Sequence, residues 1–398
     1  MKRIIDKVAR WIFTVGGFTT SVVILLIIIF LFGEAAGLFR KNVVEDGYSV
    51  VVNPSNPVSE LSARQLKQIF DEDITNWKEL GGPDEKIVIL RLSDLEKLYS
   101  QEELGAQYEH AAACIGRQVA AVPGIVAFLP SSLLEGAEGI SVMHEGTISG
   151  KDVFLGDEWY PTATPAPVFG ILPLVAGTLW VSFFAILIAL PFGLAVSIYM
   201  AECAPERIRK LLKPVIELLG GIPSVVYGFF GLTVIVPLLQ RTFNLPVGES
   251  GLAGSIVLAI MALPTIITVS EDALRSCPRA MREASLALGA TRLQTVFKVV
   301  IPYSISGITS AAVLGIGRAV GETMAVLMVT GNAAVIPHSI LDPLRTIPAT
   351  IAAELGEAPA GGAHYESLFL LGVILFFITL IINSCVELVS IRNKNRGR

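Results

Sequence analysis

The segment GIGRAVGETMAV, residues 315–326, places an arginine and a glutamate four residues apart within a long apolar stretch. A charged side chain at the centre of a bilayer costs about 2.5–3.5 kcal/mol on insertion scales, so both charges require compensation or a function. In one continuous helix the two side chains, Arg318 and Glu322, would share a face and could form a self-neutralising pair. The alternative is an arginine that faces a central cavity and offers its planar, permanently charged guanidinium to an oxyanion.

Small and polar residues surround these two charges. The three glycines of the segment, Gly315, Gly317 and Gly321, either permit close helix packing or leave room for an ion. In an earlier apolar stretch, GGIPSVVYG (220–228) has the pattern of a broken helix beside a pathway. Three polar side chains complete the candidate pathway: Ser224, Tyr227 and Thr323. A packing role for the tyrosine fits the sequence equally well.

The composition is that of a membrane protein. Of the 398 residues, 53% are hydrophobic and 16% are charged, and the mean hydropathy is +0.65, which is too apolar for an ordinary soluble protein. A membrane-spanning helix needs about 20 mostly apolar residues. Six stretches meet this requirement: residues 11–32, 170–200, 214–239, 252–273, 300–330 and 367–391. The first is too long and too apolar for a cleaved signal peptide, so we interpret it as a retained anchor.

Lysine and arginine predict the orientation of these spans, because they concentrate in cytoplasmic loops. The basic segments are the N-terminus, residues 206–213, residues 275–298 and the C-terminal tail, whereas residues 240–250 and 331–366 hold one arginine each. Both termini are therefore predicted to be cytoplasmic. The predicted regions are residues 1–39, the cytoplasmic N-terminus and first span; residues 40–165, an extracytoplasmic insertion; and residues 166–398, a five-helix core.

The predicted insertion is acidic and has the pattern of an α/β domain. Residues 41–160 carry nine Lys and Arg against twenty Asp and Glu. Strands are predicted at 48–52, 86–90 and 124–129, and a helix at 61–70 capped by Ser62. A domain of about 120 residues can bury its own core. The four cysteines of the chain show neither zinc spacing nor a disulfide framework, and we expect no metal site and no nucleic-acid partner.

Between the fourth and fifth spans, EASLALGATRLQTVFKVVIP (283–302) resembles the EAA loop of ABC-importer permeases in the spacing of its glutamate, small residues, glycine and proline. The resemblance implies a coupling helix at 279–296 that docks in a groove of a separate ATP-hydrolysing subunit. The residues implied in this contact are Arg282, Glu283, Ala284, Ser285 and Gly289. No GxxxxGK[ST] motif occurs in the chain. The chain is therefore predicted to be non-catalytic, with no cofactor of its own and with ATP and Mg used by the partner.

From about residue 170 onward the chain resembles the PstC-type permeases of phosphate-specific ABC importers. The matching stretches include GGIPSVVYGFFG (220–231), residues 177–202, residues 262–295 and GIGRAVGETMAVLMVTGN (315–332). The resemblance implies an all-α polytopic membrane protein with six transmembrane helices and the ABC type I importer permease fold, carrying an inserted extracytoplasmic α/β domain. It also implies half of a pathway for inorganic phosphate, in which Arg318 and Glu322 act on the ion.

The same resemblance implies the partners and the location. They are a related second permease subunit, two ATP-binding subunits and an extracytoplasmic phosphate-binding protein, in the lipid of the cytoplasmic (inner) membrane of a prokaryote. We further hypothesise that Glu322 accepts a hydrogen bond from the phosphate hydroxyl, a contact that sulfate cannot provide. Two alternative functions are a permease for another oxyanion, such as molybdate or sulfate, and a membrane receptor that senses phosphate.

The insertion itself resembles part of the phosphate-binding proteins that deliver phosphate to such importers, in residues 61–82, in a strand ending at Arg91 and in residues 122–130. Those proteins follow the arginine with a Ser-Gly-Thr turn that holds phosphate, whereas this chain reads RLSDLEKLYS. An acidic surface without such a turn disfavours a dianion. Three roles stay open: a structural spacer or remnant, a platform for docking or sensing a separate binding protein, and direct phosphate binding.

Overall fold

The computed structural model describes residues 2–45, 47–105, 107–143 and 146–396, with side chains described between residues 10 and 388. The chain divides into two compact units. The first unit comprises Met1–Ile171 and Ala358–Leu370, and the second unit comprises Leu172–Glu357 and Leu371–Arg398.

The first unit begins with the long apolar helix α1 (Lys2–Gly37) and continues into residues 48–169, called here the α/β domain. Its elements in chain order are β1 (Tyr48–Val52), α2 (Ala63–Phe70), β2 (Val88–Arg91), α3 (Leu92–Leu98), α4 (Gln101–Leu104), α5 (Ala111–Ala121), β3 (Ile125–Pro130), β4 (Ser141–Val142), α6 (Gly150–Leu155), β5 (Trp159–Tyr160) and β6 (Val168–Phe169). Four strands form the main sheet in the order β2-β3-β1-β4. β1 runs antiparallel to β3, and β2 runs parallel to β3.

The core of the α/β domain lies on both faces of this sheet. Because successive side chains of a strand point to opposite faces, Val50 and Val52 pack with Trp77 on one face, while Val51 packs with Leu95 on the other. Trp77 is fully buried, and its indole N–H donates to the carbonyl oxygen of Gly124 at 2.9 Å.

The predicted helix at 61–70 is confirmed as α2. Ser62 caps it, because its hydroxyl accepts a hydrogen bond from the N–H of Gln65, whose side chain accepts one from the N–H of Ser62. The strands predicted at 48–52 and 124–129 are confirmed as β1 and β3. The remaining predicted strand, 86–90, begins only at Val88, because the N–H of Ile87 donates to the carbonyl oxygen of Thr75, which lies outside the sheet.

The second unit is helical. Its elements are α7 (Leu172–Ile198), α8 (Glu206–Gly220), α9 (Ser224–Phe230), α10 (Val236–Phe243), α11 (Gly251–Arg275), α12 (Arg279–Ala287), α13 (Arg292–Thr295), α14 (Ile301–Val320), α15 (Met324–Val329) and α16 (Ile347–Glu354), while α17 (Ala363–Arg396) belongs to both units. Single π-helical turns extend α7 to Cys203, join α9 to α10 and join α13 to α14. α11 lies at the centre, since a methyl group added to Gly193 of α7 or Gly315 of α14 would lie 2.6 or 2.9 Å from Ile266.

Six helices in the described part of the chain are long and apolar enough to cross a membrane. They are Arg10–Arg40, Leu172–Cys203, Ser224–Phe243, Gly251–Arg275, Arg292–Val320 and Ala363–Leu388. The predicted fold class, a helical polytopic membrane protein with an α/β insertion, is confirmed.

Two of the predicted spans have the wrong boundaries. The third was expected at 214–239 but begins at Ser224, because residues 206–220 form the separate amphipathic helix α8, which ends before Pro223. The fifth was expected at 300–330 but ends at Val320. Glycine follows the end of both α8 and α14, and glycine is a poor helix former.

Candidate functional site

Arg318 lies in the last turn of α14 with a half-buried side chain. The ion pairs among the described residues do not include its guanidinium. A methyl group added to Gly317 would meet no atom within 4 Å, and one added to Gly321 would meet only a backbone oxygen at 3.4 Å. Within the described part of the chain, the arginine therefore has no ion-pair partner, and it lies beside two glycines that border open space.

The expectation of one continuous helix through Arg318 and Glu322 is wrong. α14 ends at Val320, and Glu322 lies in the short break before α15. Its carboxylate accepts a hydrogen bond from the N–H of Ala325 at 3.4 Å, so it caps the next helix instead of neutralising the arginine. Gly321 explains the break, since glycine costs about 1 kcal/mol relative to alanine inside a helix.

Two further predicted pathway residues, Thr323 and Ser224, lie on either side of a close helix contact. Thr323 lines an open depression of about 510 Å³ together with Gly321, α16 and part of α17. Ser224 is half-buried at the start of α9. α9 and α15 approach closely, because a methyl group added to Gly228 would lie 3.0 Å from the Cα of Ala325. The structure thus brings α9 against the start of α15, directly after the break that carries Glu322 and Thr323.

Tyr227 is buried, and its hydroxyl donates a hydrogen bond of 2.7 Å to the carbonyl oxygen of Leu219 at the end of α8. The hydroxyl proton that was expected to reach an ion is engaged by the backbone. Tyr227 therefore joins α9 to the end of α8.

The helix predicted at 279–296 is shorter than expected. α12 ends at Ala287, Gly289 reverses the chain with a φ of +85°, and the residues from Arg292 onward already belong to the helix of the fifth span. A positive φ is readily adopted only by glycine, which explains why the helix stops there. Glu283 and Ala284 are exposed on α12, whereas the Ser285 hydroxyl lies 3.0 Å from that of Thr295.

Arg282, like Ser285, is a residue of the predicted contact set that points back into the second unit. Its Nη2 donates to the carbonyl oxygen of Leu274 at 2.8 Å and lies 2.9 Å from Oε1 of Glu202. Glu202 was missed by the sequence analysis, because an acidic residue at the end of an apolar span is common and does not by itself indicate a partner. Arg282 fixes α12 to the spans and is not part of the exposed surface of that helix.

A second acidic residue missed by the sequence analysis is Glu271, whose side chain is 1% exposed near the end of α11. Three cations surround it: Arg209 Nε at 2.8 Å, Lys213 Nζ at 3.5 Å and Arg275 Nη1 at 3.7 Å. Burial alone would lower the pKa of Lys213, but its hydrogen bond to Asp272 and the nearby carboxylate of Glu271 raise the pKa above its usual value. These contacts hold α8 against α11.

α12 and the loop that follows it expose large apolar side chains. None of the residues of α12 is buried, and Leu288 is 89% exposed. Leu286, within α12, is also exposed. Large apolar side chains left in solvent typically mark a contact surface for another protein.

In the α/β domain, the residues that follow Arg91 form α3 instead of an anion-holding turn. The carboxylate of Asp94 accepts hydrogen bonds from the N–H of Arg91 at 3.2 Å and from Lys97 at 3.0 Å. The Lys97 ammonium and the Arg91 backbone hold the pKa of Asp94 below its usual value. The N–H of Arg91, at the end of β2, therefore already donates to a carboxylate of the same chain, that of Asp94.

No group of three or more His, Cys, Asp or Glu residues that could hold a metal ion occurs in the described part of the chain. The cysteines there are free thiols: Cys114 and Cys277 are buried, and Cys203 and Cys385 are exposed.

Comparison with known proteins gives two family matches. Residues 193–394 match the model of the binding-protein-dependent transport system inner membrane component, and residues 31–150 match that of the PBP superfamily domain. A probable ABC transporter permease protein, YqgH, from Bacillus subtilis (strain 168) is 40% identical over 282 residues, which are 71% of this chain and 89% of that protein.

Phosphate transport system permease proteins are also similar. PstC from Pasteurella multocida (strain Pm70) is 36% identical over 262 residues, covering 61% of this chain and 80% of its own. PstC 1 from Mycobacterium tuberculosis (strain ATCC 25618 / H37Rv) is 34% identical over 279 residues, which are 61% of this chain and 82% of that protein. Among solved structures, the inward-facing MetNI methionine ABC transporter aligns with a TM-score of 0.45 at 20% identity, covering 56% of this chain and 95% of that chain.

Proposed function

We propose a function from one premise: the chain belongs to the family of binding-protein-dependent transport system inner membrane components. It is a multi-pass permease subunit of an ABC importer in the inner membrane. Relatives that are named phosphate transport system permease proteins identify inorganic phosphate as the transported ion. The chain therefore forms part of the path that phosphate takes through the membrane.

The observation that carries the phosphate pathway is the unpaired guanidinium of Arg318. A permanent positive charge in a membrane span lowers the electrostatic barrier for an anion, and its planar fork matches two oxygens of phosphate. Gly317 and Gly321 leave space beside it. Glu322, Thr323, Ser224 and Tyr227 surround this path in the proposal, with Glu322 as the acceptor for the phosphate hydroxyl.

The test is ATP-driven phosphate uptake by the complete complex in proteoliposomes. We expect Arg318→Gln to lower the uptake rate about 10–100-fold, the equivalent of the roughly 1.5–3 kcal/mol that a hydrogen bond to a charged group contributes. Arg318→Lys should recover part of the rate, because it restores the charge without the fork. Arg241→Gln, which removes an exposed arginine at the end of α10, is the matched control. Parental uptake by Arg318→Gln would contradict the proposed pathway.

The partners follow from α12 and its exposed surroundings. We place an ATP-hydrolysing subunit, which uses ATP and Mg, against Glu283, Ala284, Gly289 and the exposed Leu288, because a nine-residue helix without buried residues needs a partner surface. A complete importer would contain a second permease subunit, two ATP-binding subunits and an extracytoplasmic phosphate-binding protein. Native mass spectrometry of the purified complex would establish or reject this stoichiometry.

The proposed orientation has both termini in the cytoplasm and the α/β domain outside. It is supported by the positive-inside distribution of Lys and Arg. In a chain with its cysteines replaced by serine, Ser100→Cys in the α/β domain should react with a membrane-impermeant maleimide added to intact cells, and Ser276→Cys should not. Both sites are exposed. The opposite labelling pattern would reverse the orientation.

A further inference from the structure

Glu271 is a buried carboxylate whose burial requires an explanation. Taking an ion pair out of water costs several kcal/mol per ion, and well-packed apolar residues often serve stability as well or better. The polar bonds of Glu271 differ from apolar packing in being directional. They fix α8 in one position along α11 through Arg209 and Lys213, which lie one helical turn apart.

Glu271 also lies close to the attachment of α12. The carbonyl oxygen of Leu274, less than one turn further along α11, accepts the hydrogen bond from Arg282. A displacement of α12 therefore acts on the same end of α11 that Glu271 joins to α8.

The other end of α8 leads to the phosphate pathway. α8 finishes at Gly220, and its Leu219 carbonyl oxygen accepts the hydrogen bond from the Tyr227 hydroxyl. Tyr227 lies on α9 beside Gly228, and a methyl group added to Gly228 would lie 3.0 Å from the Cα of Ala325, just after the break that follows α14. Polar contacts thus run from α12 through α11 and α8 to Tyr227, whose helix packs beside the break that follows α14, with α8 as the rigid element between the two ends.

We propose that Glu271 is a positioning residue that passes the position of α12 through α8 to Tyr227 and Arg318, and so couples ATP hydrolysis to phosphate passage. This inference rests on the proposed function, because it assigns a transmission route within the same permease. Without the carboxylate, α8 keeps its apolar packing through Leu212 and Ile216 but loses the bonds that fix its register. The ATPase then hydrolyses ATP, but the resulting movement of α12 no longer moves the region of Arg318.

The experiment measures phosphate transported per ATP hydrolysed by the complete complex, with its ATPase and phosphate-binding protein, in proteoliposomes. Glu271→Gln retains the size of the side chain and removes its charge. Tyr227→Phe removes only the hydroxyl at the far end of the route. Glu217→Gln, which changes an exposed acid of α8, is the matched control.

We expect Glu271→Gln and Tyr227→Phe each to lower phosphate transported per ATP by about fivefold or more, the lower end of typical coupling between sites, while ATP hydrolysis persists. The double variant should be no worse than the more severe single one, because both interrupt one route. A parental ratio in the variants, or uptake and hydrolysis that fall in proportion, would overturn the inference. If Glu271→Gln fails to assemble, Tyr227→Phe decides alone. A parental complex without ATP-driven phosphate uptake would instead refute the proposed function.

Discussion

Nη2 of Arg282 lies 2.9 Å from Oε1 of Glu202 and 2.8 Å from the carbonyl oxygen of Leu274, so one guanidinium joins α12 to the ends of two spans. α12 has nine residues and is too short to be stable as an isolated helix. Its orientation therefore depends on this guanidinium and on the contact between the hydroxyls of Ser285 and Thr295.

Removing the guanidinium should destabilise the chain. Arg282→Gln leaves Glu202, whose side chain is 12% exposed, without its cation. We expect the free energy of unfolding to fall by about 1–3 kcal/mol, since an unsatisfied buried polar group costs this much. Thermal unfolding of the purified complex in detergent measures the change.

The control for this prediction is Arg279→Gln, which removes an exposed arginine from the first turn of the same helix and should leave the unfolding temperature unchanged. Adding Glu202→Gln to Arg282→Gln should restore part of the stability, because the double variant no longer leaves a charge unpaired. If the double variant is as unstable as the sum of the single ones, the pair contributes nothing of its own.

Two glycines of α14 should respond in opposite ways to substitution. In Gly315→Ala the added methyl group would lie 2.9 Å from the buried Ile266, and overpacking of this kind costs about 1–3 kcal/mol. Gly317→Ala meets no atom within 4 Å and should keep the parental unfolding temperature or raise it slightly. Gly317→Leu fills the space beside Arg318, so it should reduce phosphate uptake in proteoliposomes without destabilising the chain. Parental uptake by Gly317→Leu would place the pathway elsewhere.

The sequence predicts the spans because their length and apolar character are local properties. It fails at the third and fifth spans, where the outcome depends on competition between neighbouring segments. The charged residues of α8 pair with Glu271, which lies in another helix. Hydropathy does not reveal this pairing, so it does not separate α8 from the span that follows. The end of α14 depends on a glycine within an apolar stretch, and glycine is also frequent inside continuous membrane helices, as Gly315 and Gly317 are in α14.

Among the candidate residues, Arg318 is recognisable because a charge in an apolar stretch is rare. Glu202 and Glu271 are not recognisable in this way, because charges at the ends of spans are common. Their partners are remote in the chain: Arg209 precedes Glu271 by 62 residues. The role of Tyr227 likewise depends on a hydrogen bond to the carbonyl oxygen of Leu219, which no sequence pattern predicts.

Glu322 should distinguish phosphate from sulfate. A carboxylate can accept the hydroxyl proton of hydrogen phosphate, whereas the sulfate dianion has no proton to donate and is repelled. Glu322→Gln preserves an oxygen that can accept the N–H of Ala325, so the start of α15 should persist. We expect the preference for phosphate over sulfate to fall about tenfold, which corresponds to a hydrogen bond of roughly 1.4 kcal/mol.

Uptake of radiolabelled phosphate with sulfate as competitor measures this preference. Glu357→Gln, which changes an exposed acid between α16 and α17, is the control and should retain the parental preference. Unchanged uptake and unchanged discrimination in Glu322→Gln would show that Glu322 serves only to cap α15.

The α/β domain should be dispensable for transport itself, since we propose that it is a structural spacer. Asp94 occupies the backbone donor at the end of β2, and no anion-holding turn follows Arg91. Val44 and Pro161 line the same cavity of about 440 Å³, so a short Gly-Ser linker can replace residues 45–160. We expect the shortened chain to assemble and to support ATP-driven phosphate uptake when the phosphate-binding protein is supplied at saturating concentration. A chain that assembles and hydrolyses ATP with its partners, yet has lost uptake, would instead make the α/β domain the docking platform.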